Sequence, residues 1–285
     1  MKYFDLHCDT ATCLYDGGED FENTDRCVNA ADAAVFEKYY QVFAFWFDDK
    51  IKIRGFDYLK NALEYFNGIK DKIPAVPVLS VEGGHSIEGN LDNIYFLKEN
   101  GFKLFGLSWN GENELASGNA SDPKKGLKSL GKEAVKLLEK FEIVPDISHL
   151  SDAGVYDVFD IAQGKIVASH SCCRSVFDSM RNITDEMITE IINRQGLIGL
   201  NLYPAALSDS PKAEDLLFHA EKILSLGGED VLALGCDWDG TSLPQGITGL
   251  RSLENIFGMF SDEFSEHTAE KIFFDNAYGF FAEKL

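Results

Sequence analysis

Basic residues are scarce in this chain of 285 residues: 26 Lys and Arg stand against 47 Asp and Glu, a formal charge of −21. That deficit argues against a phosphate backbone or an anionic lipid surface as partner, since both call for a clustered positive field. Neither nucleic acid nor membrane is therefore expected. A small anionic substrate stays open, because one arginine in a cleft can outweigh the bulk field locally. No apolar run approaches the ~18 residues that a membrane span needs. The start, Met1-Lys2-Tyr3-Phe4-Asp5-Leu6-His7, has no basic segment leading into a long apolar stretch, so no signal peptide is read there. The six cysteines (Cys8, Cys13, Cys27, Cys172, Cys173, Cys236) show no paired Cys-x-x-Cys zinc spacing and are too sparse for a disulfide scaffold. They read as small buried hydrophobes with free thiols, which makes a cytoplasmic location the default expectation. Linkers, low-complexity stretches and internal repeats are missing too, leaving one domain over residues 1–285.

What is present is a globular composition, 45% hydrophobic and 26% charged, too apolar for a disordered chain. Short apolar runs alternate with stretches of helical period. The runs predict strands at residues 3–6, 40–47, 75–81, 102–107, 142–147, 166–169, 197–202 and 231–236. Between them, Phe56, Leu59, Leu63 and Phe66 recur at helical spacing, as do Leu127, Leu130, Leu138 and Phe141. Ser151-Asp152 and Thr184-Asp185 look like helix starts, and Asn100-Gly101 and Gly227-Gly228 like helix stops. Strands that read as continuous apolar runs are buried on both faces and therefore parallel. Eight such βα units in one chain of this length predict an α/β fold, a (β/α)8 TIM barrel, with an open doubly wound sheet as the alternative. Two features fit badly. Pro145 falls inside the fifth strand, where it removes a ladder donor, and residues 16–31 carry little periodicity.

Ionisable residues follow the apolar strands with a regularity that no single motif has. His7 and Asp9 end the first strand, Glu82 the third, His149 the fifth, His170 the sixth and Asp237 the eighth. In a barrel these positions converge on the C-terminal face, where active sites are built. Three imidazoles and three carboxylates brought together out of water would repel and be poorly solvated without a cation. A pair of divalent metals resolves the conflict, with one carboxylate shared between ions ~3.5–4 Å apart. Imidazole and carboxylate suit zinc, and Mn²⁺, Co²⁺ or Fe²⁺ would suit the same donors. Each residue also has an ordinary reading. His7 and Asp9 could be a hydrogen-bonded pair, His149 and His170 could sit beside helix caps, and Glu82 could open a turn before Gly83-Gly84. The coincidence across five strands is what favours metal. His219 and His267 read as ordinary helix residues, and His85 as a loop histidine.

His7-x-Asp9, Ser80-Val81-Glu82-Gly83-Gly84-His85, Asp146-x-Ser148-His149-x-Ser151, Ser169-His170-Ser171 and Gly235-x-Asp237-x-Asp239-Gly240 together resemble the renal/membrane dipeptidase family, peptidase family M19. The resemblance runs from about residue 2 to the segment 275–277. It implies an amidohydrolase-like barrel with two zinc ions that hydrolyses dipeptides by metal-activated hydroxide, including dipeptides with a C-terminal D-residue. It implies that His7, Asp9 and Glu82 hold one ion, that Glu82, His149 and His170 hold the other, and that Asp237 is the acid/base. Arg181, in Arg181-Asn182, would grip the terminal carboxylate, and Tyr203 would belong to the family's Asn-x-Tyr. One departure matters. Where the family has Thr-His-Asn after the fourth strand, this chain has Ser108-Trp109-Asn110, so Trp109 and Asn110 become the substrate-facing residues there. The indole N–H of Trp109 can stand in for the missing imidazole donor, or Trp109 can be a packed wall. Thr12 likewise stands where an aromatic is common. A small dipeptide is the expected partner, with a homodimer left open. The competing readings are another amidohydrolase-type enzyme acting on a cyclic amide, lactam, lactone or N-acyl amino acid, and a non-catalytic metal-binding protein on the same scaffold.

Overall fold

A computed structural model describes residues 1–48 and 54–282. Eight strands, β1 (Lys2–Cys8), β2 (Lys38–Phe45), β3 (Val76–Glu82), β4 (Phe102–Gly106), β5 (Val144–Asp146), β6 (Val167–Ala168), β7 (Leu197–Leu200) and β8 (Leu232–Leu234), follow one another in chain order. They form a closed barrel in that order, and β1 pairs in parallel with β8 through Asp5 and Leu234. The fold is the predicted (β/α)8 barrel, and the open sheet is excluded by that closure.

Local signals account for the elements between strands. The helix Gly55–Ile69 buries Leu59, Leu63 and Phe66 on the predicted face. Ser151 caps the helix Asp152–Ile161 by accepting from the Gly154 N–H, and Thr184 caps Asp185–Asn193 by accepting from the Met187 N–H. Gly101 and Gly227 follow helix ends with φ of 77° and 89°, the left-handed conformation that a glycine takes without strain. Pro145 does lie within a strand, opposite Phe105. It is tolerated because β5 has three residues and its ladder to β6 rests on the single pair Asp146 and Val167. The unpatterned stretch 16–31 is held by long-range contacts instead of its own period. Phe21 is buried against Phe43 and Phe66, and Asp239 accepts from the backbone N–H groups of Cys27 and Val28.

The barrel interior is divided in two. Its lower part is one apolar cluster with a residue from every strand: Phe4 and Leu6 of β1, then Val42, Val78, Leu104, Val144, Val167, Leu197 and Ala233. The C-terminal helix Asn276–Phe281 closes this end, with Phe281 stacked on Phe4 at 5.4 Å. The other end carries the polar residues. Among the described residues, no helix is long and apolar enough to cross a membrane.

Candidate metal centre

The strand ends deliver their ionisable side chains to one point. Glu82, the last residue of β3, lies between two groups. Its Oε2 is 3.2 Å from His7 Nε2, while its Oε1 is 2.7 Å from His149 Nε2 and 3.6 Å from His170 Nε2. Asp9 Oδ1 is 3.6 Å and Asp237 Oδ1 3.9 Å from the same His7 Nε2. Donor atoms of His7, Asp9 and Glu82 lie within 4.8 Å of one another, as do those of Glu82, His149 and His170. These are the two triplets that the resemblance implies. Asp146 forms a third group of the same size with His7 and His170.

The backbone near the centre is unusual. The register between β1 and β2 shifts between Asp5 and Cys8, and the His7 N–H donates to Asp5 Oδ1 at 3.0 Å. His149 and Asp237 have φ of 68° and 61°, a region that non-glycine residues seldom occupy and that clusters at functional sites. Gly240 completes the wall: a Cβ there would collide with Asp9 Oδ2 and Asp237 Oδ1.

Hydrogen bonds behind the imidazoles fix their tautomers. His149 Nδ1 is 2.9 Å from Asn110 Oδ1, an acceptor, so Nδ1 carries the proton and Nε2 keeps its lone pair. His170 Nδ1 is 2.7 Å from Ser169 Oγ, and that hydroxyl in turn donates to Asp146 Oδ2. Asp146 is completed by the N–H groups of Ser148 and Ser169, each at 3.0 Å. Both histidines therefore turn unprotonated Nε2 atoms, 2.9 Å apart, toward Glu82, and the one on His149 accepts from Arg181 Nη2. The serines beside His149 and His170 do not make these histidines cap neighbours only: Ser151 caps the helix and Ser169 sets a tautomer.

Crowding of like charges out of water shifts every member. Burial pushes the Asp9 carboxyl up to about 7, with Glu82 adding to it. Asp237 is pushed up to about 6 by burial, with His7 opposing and Glu82 reinforcing. Glu82 goes the other way: burial opposes, but the His149 and His7 imidazoles hold it well below the usual range. His7 is raised, because Glu82 and Asp9 outweigh its burial. His149 is pushed down to about 4 by burial and by Arg181, and burial likewise lowers His170. Asp9 Oδ1 is buried and has no hydrogen-bond partner. An orphaned carboxylate oxygen, an unprotonated His170 Nε2 and a carboxylate shared among three imidazoles are what a pair of divalent cations would satisfy, with Arg181 yielding its place on His149 Nε2 to the ion. The donor set fits that group.

The centre opens into a cavity of about 300 Å³ lined by Asp9, Glu82, His149, Asp237 and, around them, Trp109, Asn110, Arg181 and Tyr203. All ten residues singled out in the sequence thus lie in or at one site. Arg181 donates through Nη2 to His149 Nε2 at 2.9 Å and to the His170 carbonyl at 3.2 Å. Asn201, from the Asn-x-Tyr segment, donates to the same carbonyl and orients Tyr203 by accepting its N–H. Asn110 uses its Oδ1 on His149 as well as lining the cavity. Sequence reasoning missed three contributors. Trp46, just past β2, lines the cavity and packs on Trp109. Asp146 and Ser169 were visible only as neighbours of histidines, with no sign of their role beneath them. His219 is the helix residue it reads as: it is fully buried, and its Nδ1 accepts from the Cys173 N–H. His85 bonds the Phe47 carbonyl through Nε2.

A parallel barrel whose C-terminal rim gathers buried imidazoles and carboxylates around one shared glutamate belongs to the class of metal-dependent barrel proteins. A model of the membrane dipeptidase family, peptidase family M19, matches residues 62–283, and the chain belongs to that family. The match begins after His7 and Asp9, which the fold brings back against Glu82. A Klebsiella pneumoniae protein described as uncharacterized, in the pqqA 5′ region, is 27% identical over 200 residues, covering 66% of this chain and 73% of its own. The uncharacterized dipeptidase C965.12 of Schizosaccharomyces pombe is 26% identical over 183 residues, 61% of this chain. The chain spans only 44% of that relative's length. Among solved structures, a metallopeptidase from Rhodobacter sphaeroides, liganded with a phosphinate mimic of the dipeptide L-Ala-D-Ala, superposes with a TM-score of 0.89 at 20% identity, covering 100% of this chain and 99% of that one. The probable dipeptidase PvdM from Pseudomonas aeruginosa gives 0.84 at 17% identity, covering 100% and 95%. At such identities the likeness is one of fold.

Proposed function

We propose that the protein is a metal-dependent dipeptidase that hydrolyses the peptide bond of small dipeptides, including those with a C-terminal D-residue. The observation that carries this reading is Glu82, whose two carboxylate oxygens are divided between His7 on one side and His149 and His170 on the other, on the wall of an open cavity. His7, Asp9 and Glu82 would hold one divalent cation and Glu82, His149 and His170 a second, zinc by preference. When bound, such ions polarise a substrate carbonyl and lower the pKa of water.

The chain's own residues supply the rest. Asp237, on the cavity wall with Oδ1 3.9 Å from His7 Nε2, is placed to accept a proton from attacking water and return it to the departing amine. Asp237 and Asp239 line the cavity outside the two ligand sets, and carboxylates there suit a free α-ammonium. Arg181 uses Nη2 for His149 and His170; among the described residues this leaves Nε and Nη1 for a substrate carboxylate. Membership of the dipeptidase family supports this substrate class, and the dipeptide mimic held by the Rhodobacter sphaeroides metallopeptidase supports the D-residue. The six cysteines are free thiols, in keeping with a reducing, cytoplasmic setting.

The test is elemental analysis of untreated protein, paired with a panel of L,L- and L,D-dipeptides, N-acyl amino acids, lactams and lactones. Two metal equivalents and dipeptide cleavage abolished by chelation are expected. Metal-replete protein that cleaves only the non-peptide members would assign it to another amidohydrolase chemistry. Protein that binds metal and cleaves nothing would make it a binding protein.

A further inference from the structure

Trp109 stands between two cavities. One is the 300 Å³ cavity at the metal centre; the other, of about 440 Å³, adjoins it and is lined by Phe47, His85, Glu88, Glu112 and Glu114 as well as Trp109. None of the converged metal-site residues lines the larger cavity, so the chemistry is confined to the smaller one. The indole is held from two directions. Trp46 packs on it with ring centroids 5.1 Å apart and planes at 58°, and its backbone is pressed against Gly118, where a Cβ would collide with the Trp109 carbonyl. Hydrogen bonds from Gly118 N–H to the Gly111 carbonyl and from Ala120 N–H to the Asn110 carbonyl pin the same turn. A wall so braced does not yield to a bulky substrate at low cost, since packed side chains resist displacement.

We propose that Trp109, backed by Trp46, is a specificity-determining partition that closes the catalytic cavity off from its larger neighbour and restricts the enzyme to dipeptides with small side chains. This deepens the dipeptidase reading and rests on it. A cavity of 300 Å³ is at the small end for ligand sites, and part of it is the space around the metal-site carboxylates themselves. Trp109 is the one residue that the two described linings share, so replacing its indole by a methyl group is expected to widen the catalytic cavity toward its neighbour.

The experiment compares kcat/KM of metal-replete wild type, Trp109→Ala and Trp109→Phe on Ala-Ala, Phe-Ala and Ala-Phe. Wild type should favour Ala-Ala. Trp109→Ala should raise the ratio of the better phenylalanyl substrate to Ala-Ala at least about tenfold, the scale of discrimination that pocket size supplies, and Trp109→Phe should stay nearer wild type. Metal content and a thermal melt confirm that each variant is folded. Should Trp109→Ala fail to fold, Trp46→Ala, which loosens the partition from behind, is held to the same criterion. A ratio unchanged within twofold, or wild type that cleaves the phenylalanyl dipeptides as readily as Ala-Ala, overturns the partition. Wild type that cleaves no dipeptide refutes the dipeptidase reading instead.

Discussion

Metal-free protein should become less stable between pH 6.5 and 8, and divalent metal should remove that loss. The carboxyl of Asp9 is pushed up to about 7 in the folded chain and returns to about 3.9 on unfolding. Below about pH 4 both states carry the proton and nothing is lost. As pH rises, the unfolded chain releases the proton freely while the folded chain cannot, so folded stability falls until pH passes about 7. The increment for Asp9 between pH 6.5 and 8 is about 1 kcal/mol. Asp237, at about 6, has lost most of its share before this window. His7 works in the same direction: its raised pKa stabilises the fold at low pH, and that contribution disappears as pH rises through the folded value. Glu82 is ionised throughout the window and adds no slope. His149 and His170, both lowered, penalise the fold only below about pH 6.5, where the unfolded imidazoles take up protons. A loss of about 1 kcal/mol corresponds to a fall in Tm of about 2 °C for a protein of this size. Circular dichroism melts of chelated and metal-replete protein at both pH values measure it, and their difference cancels titrations elsewhere in the chain. Chelated protein as stable at pH 8 as at 6.5, or the same slope with metal bound, would refute the reasoning.

Ser169→Ala should weaken metal binding ~10–100-fold, because the Ser169 hydroxyl joins His170 Nδ1 to Asp146 and sets which nitrogen faces the centre. Competition against a chromophoric chelator reads this, and parent affinity would show that the tautomer needs no such support. Asp237→Asn should retain both metal equivalents while kcat drops ~10²–10⁴-fold, the range for loss of a positioned acid/base. Turnover like the parent's, with metal content intact, would give Asp237 a different role.

Much of this fold is legible because its strands are buried on both faces. Most appear as largely apolar runs, and an ionisable residue at or just past the end of a run marks the rim, which is why Glu82, His149, His170 and Asp237 stand out without any contact information. Strand lengths are less legible. Residues 142–147 and 166–169 read as strands of ordinary length, whereas β5 and β6 are three and two residues long. The polar layer above the apolar one is made by turns that depart early from the ladder, and apolarity alone does not register where pairing stops. Residues 16–31 are illegible for a related reason. Their conformation is set by Asp239, more than two hundred positions away, through bonds to the Cys27 and Val28 N–H groups. Trp46 lies inside the predicted run 40–47 and just past the observed end of β2, and an indole carries no charge to flag it.

The division of the barrel interior links stability to the metal requirement. An apolar layer that takes a residue from every strand fills the barrel below the centre, while burial and the neighbouring Glu82 push the Asp9 carboxyl upward. The raised Asp9 carboxyl makes metal-free protein less stable as pH rises toward 7, against the 5–15 kcal/mol that holds a typical domain together. A more polar layer would relieve the cluster, yet it would also weaken the hold of Asp9 and Glu82 on any ion. The core beneath the site and the acids at its rim are therefore two sides of one arrangement. Mutations that open the lower layer, at Val42, Val78 or Leu104, should weaken metal binding without touching a ligand.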